Sequence, residues 1–243
     1  MKTRVFETEA EAAGYAAKTA ASVLAKKPDA LFCLAAGHSS LPFFDAIAAR
    51  ELDFSKTRFA ELDEWMGLPP DAAGSCVSFL RINFFSRVNA ESENICLFNP
   101  LTNDGEAECL RVTEQIEKWG GIDYLLLGMG LNGHLGLNEP GCDLNCRAHI
   151  EPLSKTTLEV APKYFGGVMP PIKSGITLGL ADLKKARLIH LLVLGSHKKD
   201  ICGQLLSLAK SYPSIEAEVS VLPASVLLDL EHAELILDRA AAG

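Results

Sequence analysis

Hydrophobic residues in this chain form short continuous runs that alternate with stretches of helical periodicity. The strand-like runs cover residues 31–37, 57–65, 93–99, 122–130, 175–180, 186–195 and 233–238. Helical patterns lie between them at 40–53, 75–88, 106–120 and 196–210. Continuous apolar strands that alternate with amphipathic helices are typical of parallel sheets covered on both faces. The pattern predicts an α/β fold, with one domain over 1–243 built on a single doubly wound, mostly parallel, Rossmann-like sheet.

Composition narrows the range of partners. Of the 243 residues, 48% are hydrophobic and 22% are charged, as in ordinary globular proteins. The formal net charge of −8 disfavours nucleic acid, whereas a small phosphorylated ligand needs only a few cations and N–H groups. The start of the chain lacks the apolar core of a signal peptide, and the apolar runs are too short to span a bilayer. We expect a cytoplasmic protein that binds a small molecule, neither nucleic acid nor membrane, with a homo-oligomer possible.

The seven cysteines are scattered along the chain, and their odd number favours reduced thiols. Cys142 and Cys146 form a C-x3-C pair near His134 and His149, which resembles part of a metal site. A second closely spaced ligand pair is missing, so we expect no metal and no other cofactor.

Glycine and polar residues collect where the predicted strands end. These segments are 37–40, 63–64, 128–139 and 196–198. Ligands of open α/β sheets bind outside the carboxyl ends of the strands, so the convergence of these segments predicts the site better than any one motif does. The stretch 144–175 is expected to act as a lid over it.

The segment GMGLNGHLGLNEPG, residues 128–141, fits two kinds of site. Its first six residues match the G-x-G-x-x-G dinucleotide pattern, but that site needs a following helix, and the glycines and proline argue against one. In the catalytic alternative, His134 transfers protons near neutrality and Glu139 orients or charge-stabilises its ring. The residues alone leave open whether His134 is catalytic or merely caps a turn.

An acidic pair, Asp63 and Glu64, closes the run FAELDEW at a predicted strand end. Carboxylates at such a place are costly unless they are solvated or functional. A carboxylate facing a ligand can move a carbon-bound proton next to a carbonyl. The alternative is a solvated turn before the sequence GLPPD.

Four segments together resemble the glucosamine-6-phosphate deaminase/isomerase family. They are residues 62–85, 128–141, 175–187 and 193–198, in the same order as in the family. The L-D-E-W strand end and the N-G-H-L-G-L-N-E-P-G loop are most similar to the galactosamine-6-phosphate deaminase/isomerase branch. The sister family, 6-phosphogluconolactonase, shares the fold and a similar loop but usually lacks the N-E-P ending.

The resemblance implies an enzyme that opens the ring of a 2-amino-2-deoxyhexose 6-phosphate, moves a proton from C2 to C1 and releases ammonia without a cofactor. By resemblance, Asp63 is the C2 proton base, His134 opens the ring, and Glu139 supports His134. The predicted substrate and phosphate contacts are Gly37, Ser39, Ser40, Glu64, Gly128, Gly130, Lys163 and Lys198. The family often has arginine where Lys163 stands, so the charge is kept but the bidentate fork is lost.

Two positions depart from the family pattern. Asn132 stands where an aspartate usually precedes the histidine by two residues; its amide can hydrogen-bond the imidazole but cannot stabilise an imidazolium by charge. Ring opening would then depend more on Glu139. In the phosphate loop, His38 and Ser40 replace small residues and a T-P pair. Two alternatives stay open: a sugar-lactone phosphate hydrolase, which would not need Asp63, and a non-catalytic sugar-phosphate sensor.

Overall fold

The computed structural model describes residues 1–168, 170–211 and 222–243. The strands of the large sheet are β1 (Lys2–Phe6), β2 (Leu31–Leu34), β3 (Arg58–Glu61), β5 (Ile95–Cys96), β6 (Tyr124–Leu127), β9 (Ile189–Val193) and β10 (Ala233–Asp238). They pair in the order β1-β10-β9-β6-β2-β3-β5, and every pairing is parallel. The small sheet consists of β4 (Asp63–Trp65), β8 (Ser174–Thr177) and β7 (His149–Pro152), paired antiparallel in that order.

Helices cover both faces of the large sheet. They are α1 (Glu9–Lys26), α2 (Leu41–Ala48), α3 (Cys76–Asn83), α4 (Gly105–Lys118), α5 (Lys155–Val160), α6 (Leu180–Leu183), α7 (Lys199–Ser211) and α8 (Arg239–Ala242). Successive side chains of a strand point to opposite faces, so Leu31 and Cys33 join the core under α4, α6 and α7. Phe32 and Leu34 join the core under α1, α2 and α3. The predicted α/β class with a doubly covered parallel sheet is confirmed.

The prediction of a single sheet is wrong in one respect. The strand predicted over 57–65 divides at Leu62, so that β3 lies in the large sheet and β4 in the small one. The strand predicted over 175–180 is β8, which pairs with β4 and β7. A hydrophobic run has the same appearance in the sequence whichever sheet it joins. The sheet to which a strand belongs is determined by its backbone hydrogen-bond partners. One such bond near the division runs from the Leu178 N–H to the Leu62 carbonyl, at 2.9 Å.

The N-terminal elements β1 and α1 extend the predicted pattern. The sequence does contain a signal for α1: Thr8 and Glu11 form a reciprocal capping box at its start. Five of the six buried residues of α1 are alanines, at positions 12, 13, 16, 17 and 20, and the sixth is Leu24. Such a face has little hydrophobic contrast, but it lets the helix approach the sheet closely. Among the described residues, none of the helices combines the length and apolarity needed to cross a membrane.

Candidate active site

A cavity of about 280 Å³ lies where the strands of the large sheet end. Its lining includes Gly37, His38, Ser39, Ser40, Asp63, Gly128, Met129, Gly130, His134, Thr157, Lys163, Tyr164, His197 and Lys198. All four strand-end segments of the sequence analysis therefore contribute side chains or backbone. The loops converge because β2, β6 and β9 run parallel as neighbours and end at one edge. Part of the cavity's remaining wall comes from α5 and the turn after it, within the stretch predicted as a lid.

Asp63 is the first residue of β4, and its side chain is partly exposed to the cavity. No described residue donates a hydrogen bond to its carboxylate. Burial, with a smaller contribution from the neighbouring Glu64 charge, raises the pKa of Asp63 to about 7. A carboxylate with this pKa is an effective base at neutral pH. Much of it is ionised, and the ionised form has a high enough proton affinity to accept a proton from the ligand.

Glu64, predicted as a substrate contact, does not line the cavity in this structure. Alternation along β4 turns Glu64 away from the cavity, and its side chain is buried. One carboxylate oxygen accepts the backbone N–H groups of Trp65 and Cys76 at 2.8 and 2.9 Å, and the other accepts that of Val77 at 3.0 Å. Glu64 therefore anchors the start of α3 and acts on the site through the charge it places beside Asp63.

His134 and Glu139 lie together, as predicted. His134 Nδ1 is 3.6 Å from Glu139 Oε2 and 3.2 Å from the Thr157 hydroxyl. Burial alone would raise the pKa of Glu139, but its polar interactions with His134, Thr157 and Asn132 lower it to about 2. Glu139 is thus a carboxylate at neutral pH, and it does not line the cavity. It supports His134 from behind.

The side chain of Asn132 makes its hydrogen bonds to other groups than the imidazole of His134. Its Nδ2 donates to Glu139 Oε2 at 2.7 Å and to the Ser154 hydroxyl at 3.0 Å. Its Oδ1 accepts the backbone N–H of His134 at 3.3 Å. The amide therefore uses both of its ends, one to hold the turn and one to hold the carboxylate. An aspartate could not donate to Glu139 in this arrangement.

Gly130 is required by the ring of His134. A Cβ atom at position 130 would lie 2.3–2.5 Å from three atoms of the imidazole. At Gly128, by contrast, a Cβ would meet nothing within 4 Å. The first two glycines of the loop thus have different roles: one admits the imidazole, and the other leaves the cavity open.

Hydroxyls and cations also line the cavity. Ser39 and Ser40 lie in a 3-10 turn, His38–Ser40, that leads into α2. Lys198 is buried and donates to the Met129 carbonyl at 2.5 Å. Burial, and then repulsion from Lys163, lower the pKa of Lys198 to about 8. Burial also lowers the pKa of Lys163. Two ammonium groups that line one cavity favour the binding of an anion there.

Sequence reasoning did not identify several residues of this cavity. Thr157 bonds His134, and Tyr164 packs against His38 with the ring centroids 5.2 Å apart. A signal for Thr157 exists, because Ser154 caps α5 by accepting the Thr157 N–H at 3.2 Å. The sequence S-x-x-T could have placed a helix start here. Tyr164 carries no local signal, because only the fold of the 155–164 segment brings it to the cavity.

Comparisons with known proteins agree with this geometry. The family model described as glucosamine-6-phosphate isomerases/6-phosphogluconolactonase matches residues 5–236. A glucosamine-6-phosphate deaminase of Thermoanaerobacter sp. (strain X514) is 32% identical over 98% of this chain and 96% of its own length. A solved monomeric glucosamine-6-phosphate deaminase superposes with a TM-score of 0.92 at 29% identity, covering 100% of this chain and 99% of that one.

A 6-phosphogluconolactonase of Thermotoga maritima shares the fold alone, with a TM-score of 0.76 at 19% identity over 98% of this chain and 99% of that one. The match to the family model spans nearly the whole chain and includes each strand-end segment that lines the cavity. The chain therefore belongs to the family of glucosamine-6-phosphate isomerases and 6-phosphogluconolactonases.

Proposed function

We propose that this chain is an amino-sugar-phosphate deaminase/isomerase that converts a 2-amino-2-deoxyhexose 6-phosphate into a ketohexose 6-phosphate and ammonia. The observation that carries the proposal is the placement of Asp63, His134 and Lys198 around one cavity. A proton base, a ring-opening imidazole and a phosphate-binding cation thus lie within reach of one small ligand. The deaminase relative and the deaminase structure support the same reaction class.

His134 opens the sugar ring in this proposal. The imidazole takes the proton of the anomeric hydroxyl and returns it to the ring oxygen, which exposes the C1 aldehyde. Glu139 and Thr157 both face Nδ1, so they fix the orientation of the ring and leave Nε2 for the sugar. The carboxylate of Glu139 also stabilises the imidazolium that forms during the transfer.

Asp63 then transfers the proton between carbons. Its carboxylate removes the C2 proton of the open chain, whose acidity is raised by the C1 carbonyl, and gives it to C1 through an enolamine. C2 becomes an iminium carbon that water hydrolyses, and ammonia leaves. The pKa of about 7 suits a group that must both accept and return this proton.

The phosphate is held at the other part of the cavity. The hydroxyls of Ser39 and Ser40 and the ammonium groups of Lys163 and Lys198 supply donors and charge. Gly37 precedes this turn and leaves its backbone accessible to the ligand. The finer choice between the glucosamine and galactosamine epimers rests on the C4 hydroxyl, and the 128–141 loop favours galactosamine by resemblance.

The test is ammonia release from glucosamine 6-phosphate and galactosamine 6-phosphate, measured side by side for the wild type and Asp63→Asn. We expect release from at least one epimer and a loss of about 100-fold or more in the variant, the scale of acid–base catalysis. Asp63→Asn should be at least as stable as the wild type above pH 7, because burial disfavours the charged carboxylate.

Full ammonia release by a folded Asp63→Asn protein would overturn the role of Asp63. Hydrolysis of a sugar-lactone phosphate that survives Asp63→Asn would instead indicate the lactonase reaction. Saturable binding of both sugar phosphates without turnover would indicate a sensor. The ratio of kcat/KM values for the two epimers decides the preferred substrate.

A further inference from the structure

Tyr164 places a phenol hydroxyl in the candidate site, and the reaction proposed above does not use it. The hydroxyls of Tyr15 and Tyr124 bond Glu234 and His190 at 2.8 and 3.0 Å. The hydroxyl of Tyr164, by contrast, has no hydrogen-bond partner among the residues that the structure describes, and its side chain lines the cavity. A partly buried donor that faces a cavity and lacks a protein partner is available to a ligand.

The ring of Tyr164 is held by three other parts of the chain. Its centroid lies 5.2 Å from that of His38, in the turn before α2, and 6.4 Å from that of Trp65, in β4. The Lys163 ammonium lies 4.9 Å from the same centroid, at a distance typical of a cation–π contact. A Cβ atom at Gly74 would lie 2.6 Å from the Tyr164 carbonyl, so the backbone is closely packed as well. These contacts orient the hydroxyl before a ligand binds, which lowers the entropic cost of using it.

The hydroxyl lies beside the turn proposed to bind phosphate. Tyr164 Oη is 4.0 Å from the position that a Cβ atom of Gly37 would take, and no other atom lies within that distance. The space over Gly37 is therefore open, with the phenol at its border. The Ser40 N–H donates to the Gly37 carbonyl at 2.9 Å, whereas no described residue accepts the N–H of Gly37, His38 or Ser39. Free N–H groups at the start of a helix favour anions, and an anion over Gly37 would lie close to the phenol.

We propose that Tyr164 is a further substrate-binding residue whose hydroxyl donates a hydrogen bond to the phosphate group of the substrate. This role rests on the proposed function, which places the phosphate among Ser39, Ser40, Lys163 and Lys198. The lysines supply charge, and the phenol adds a directed donor from the opposite end of the Lys163–Tyr164 contact. The phosphate takes no part in the proton transfers, so this bond is equally strong in the ground state and the transition state. The hydroxyl should therefore improve binding and leave turnover unchanged.

The binding arm measures the Kd of inorganic phosphate by titration calorimetry for the wild type, Tyr164→Phe and Tyr15→Phe. Tyr164→Phe removes one oxygen and keeps the ring that contacts His38 and Lys163. We expect its Kd to rise about tenfold, the scale of one hydrogen bond to a charged acceptor. Tyr15→Phe loses a hydroxyl that bonds Glu234 outside the cavity, so its Kd should equal that of the wild type. An unchanged Kd in Tyr164→Phe, an equal rise in both variants, or a wild type that binds no phosphate would overturn the proposal.

The activity arm measures ammonia release from the preferred amino-sugar phosphate. In Tyr164→Phe we expect KM to rise about tenfold while kcat stays within about twofold of the wild type, as for a group that binds both states equally. A higher KM or lower kcat with an unchanged phosphate Kd would place the hydroxyl on the sugar and overturn the phosphate contact. If the wild type releases no ammonia from either epimer, the proposed function fails, while the phosphate Kd values still decide the contact made by Tyr164.

Discussion

At the scale of single residues, the site depends on groups whose protonation is shifted toward neutrality. The pKa of Asp63 rises to about 7 because it is a poorly solvated carboxylate beside Glu64. The pKa of Lys198 falls to about 8 because it is a buried ammonium near Lys163. The two shifts have opposite signs and the same cause, since burial disfavours whichever form is charged. They leave a narrow range of pH in which both groups are charged.

The pH dependence of kcat/KM should follow these two groups. The base form of Asp63 is lost as the pH falls below about 7, and the ammonium of Lys198 is lost as the pH rises above about 8. We therefore expect a bell-shaped profile with limbs near these values. Lys198→Arg keeps its charge at high pH and should move the alkaline limb upward, whereas the amine of the substrate titrates identically in both proteins. An unmoved alkaline limb would assign it to the substrate instead.

Replacing Asn132 by aspartate should reduce activity, although the family resemblance leads one to expect an aspartate at this position. Asn132 Nδ2 donates to Glu139 at 2.7 Å, so the variant would put two carboxylates in contact. Repulsion would raise the pKa of Glu139 and loosen its hold on His134. We expect kcat to fall about tenfold or more. Asn145→Asp, at an exposed position, is the control for the change of net charge. Unchanged kcat in Asn132→Asp would show that the loop rearranges to accept the acid.

At the scale of elements, the loop after β6 is shaped by the space that its side chains require. Gly130 donates its N–H to the His134 carbonyl at 3.0 Å and leaves room for the ring above itself. The turn is therefore closed by the same residue that carries the imidazole. This gives the second glycine of the G-x-G pattern a role within its own loop, since it makes room for the His134 side chain.

Gly130→Ala should displace the imidazole, because the added methyl would lie within 2.5 Å of it. Rotation of His134 away from Thr157 and Glu139 should lower kcat about 10- to 100-fold, the usual cost of a misplaced catalytic group. Gly128→Ala is the matched comparison, because its methyl meets no atom within 4 Å. Both variants should fold. Equal losses of kcat would show that the loop tolerates no added side chain, and would overturn the specific role of Gly130.

At the scale of the whole molecule, the cavity joins parts of the chain that are far apart in sequence. The turn before α2, the first residue of β4, the loop after β6 and the turn before α7 all contribute to it. A ligand bound there contacts the folded state only. Binding then stabilises the whole fold, by an amount that grows with the ratio of ligand concentration to Kd.

Inorganic phosphate should therefore raise the melting temperature of the wild type in a concentration-dependent way. At about 100 times its Kd, a ligand adds about 2.7 kcal/mol to the free energy of unfolding. Lys198→Met should abolish most of this gain, because the buried ammonium is lost. Lys199→Met removes a neighbouring exposed charge and should behave as the wild type does. If both variants lose the phosphate effect equally, general charge attraction rather than the Lys198 site explains the binding.

The sequence by itself determined the fold class and the positions where chemistry could occur. In a strand with a continuous apolar run, such as 122–130, both faces must be buried. This requirement implies a sheet with helices packed on both of its faces. Glycine and polar residues at strand ends cannot join either core, so they marked the edge where the cavity lies. The side-chain chemistry of His134 and Asp63 indicated proton transfer, and the family resemblance of their loops indicated the reaction.

The tertiary structure alone decided which of these residues meet. Asp63 and Glu64 are equivalent acids in sequence, and only the pairing of β4 turned one toward the cavity and the other to the start of α3. The amide of Asn132 has the chemistry to bond either the imidazole or a carboxylate, and the fold places it on Glu139. Shifted pKa values likewise arise from burial by distant segments. Local sequence patterns indicate the chemistry available to each residue. Its orientation, hydrogen-bond partners and pKa depend on burial and long-range contacts, which are determined by the whole chain.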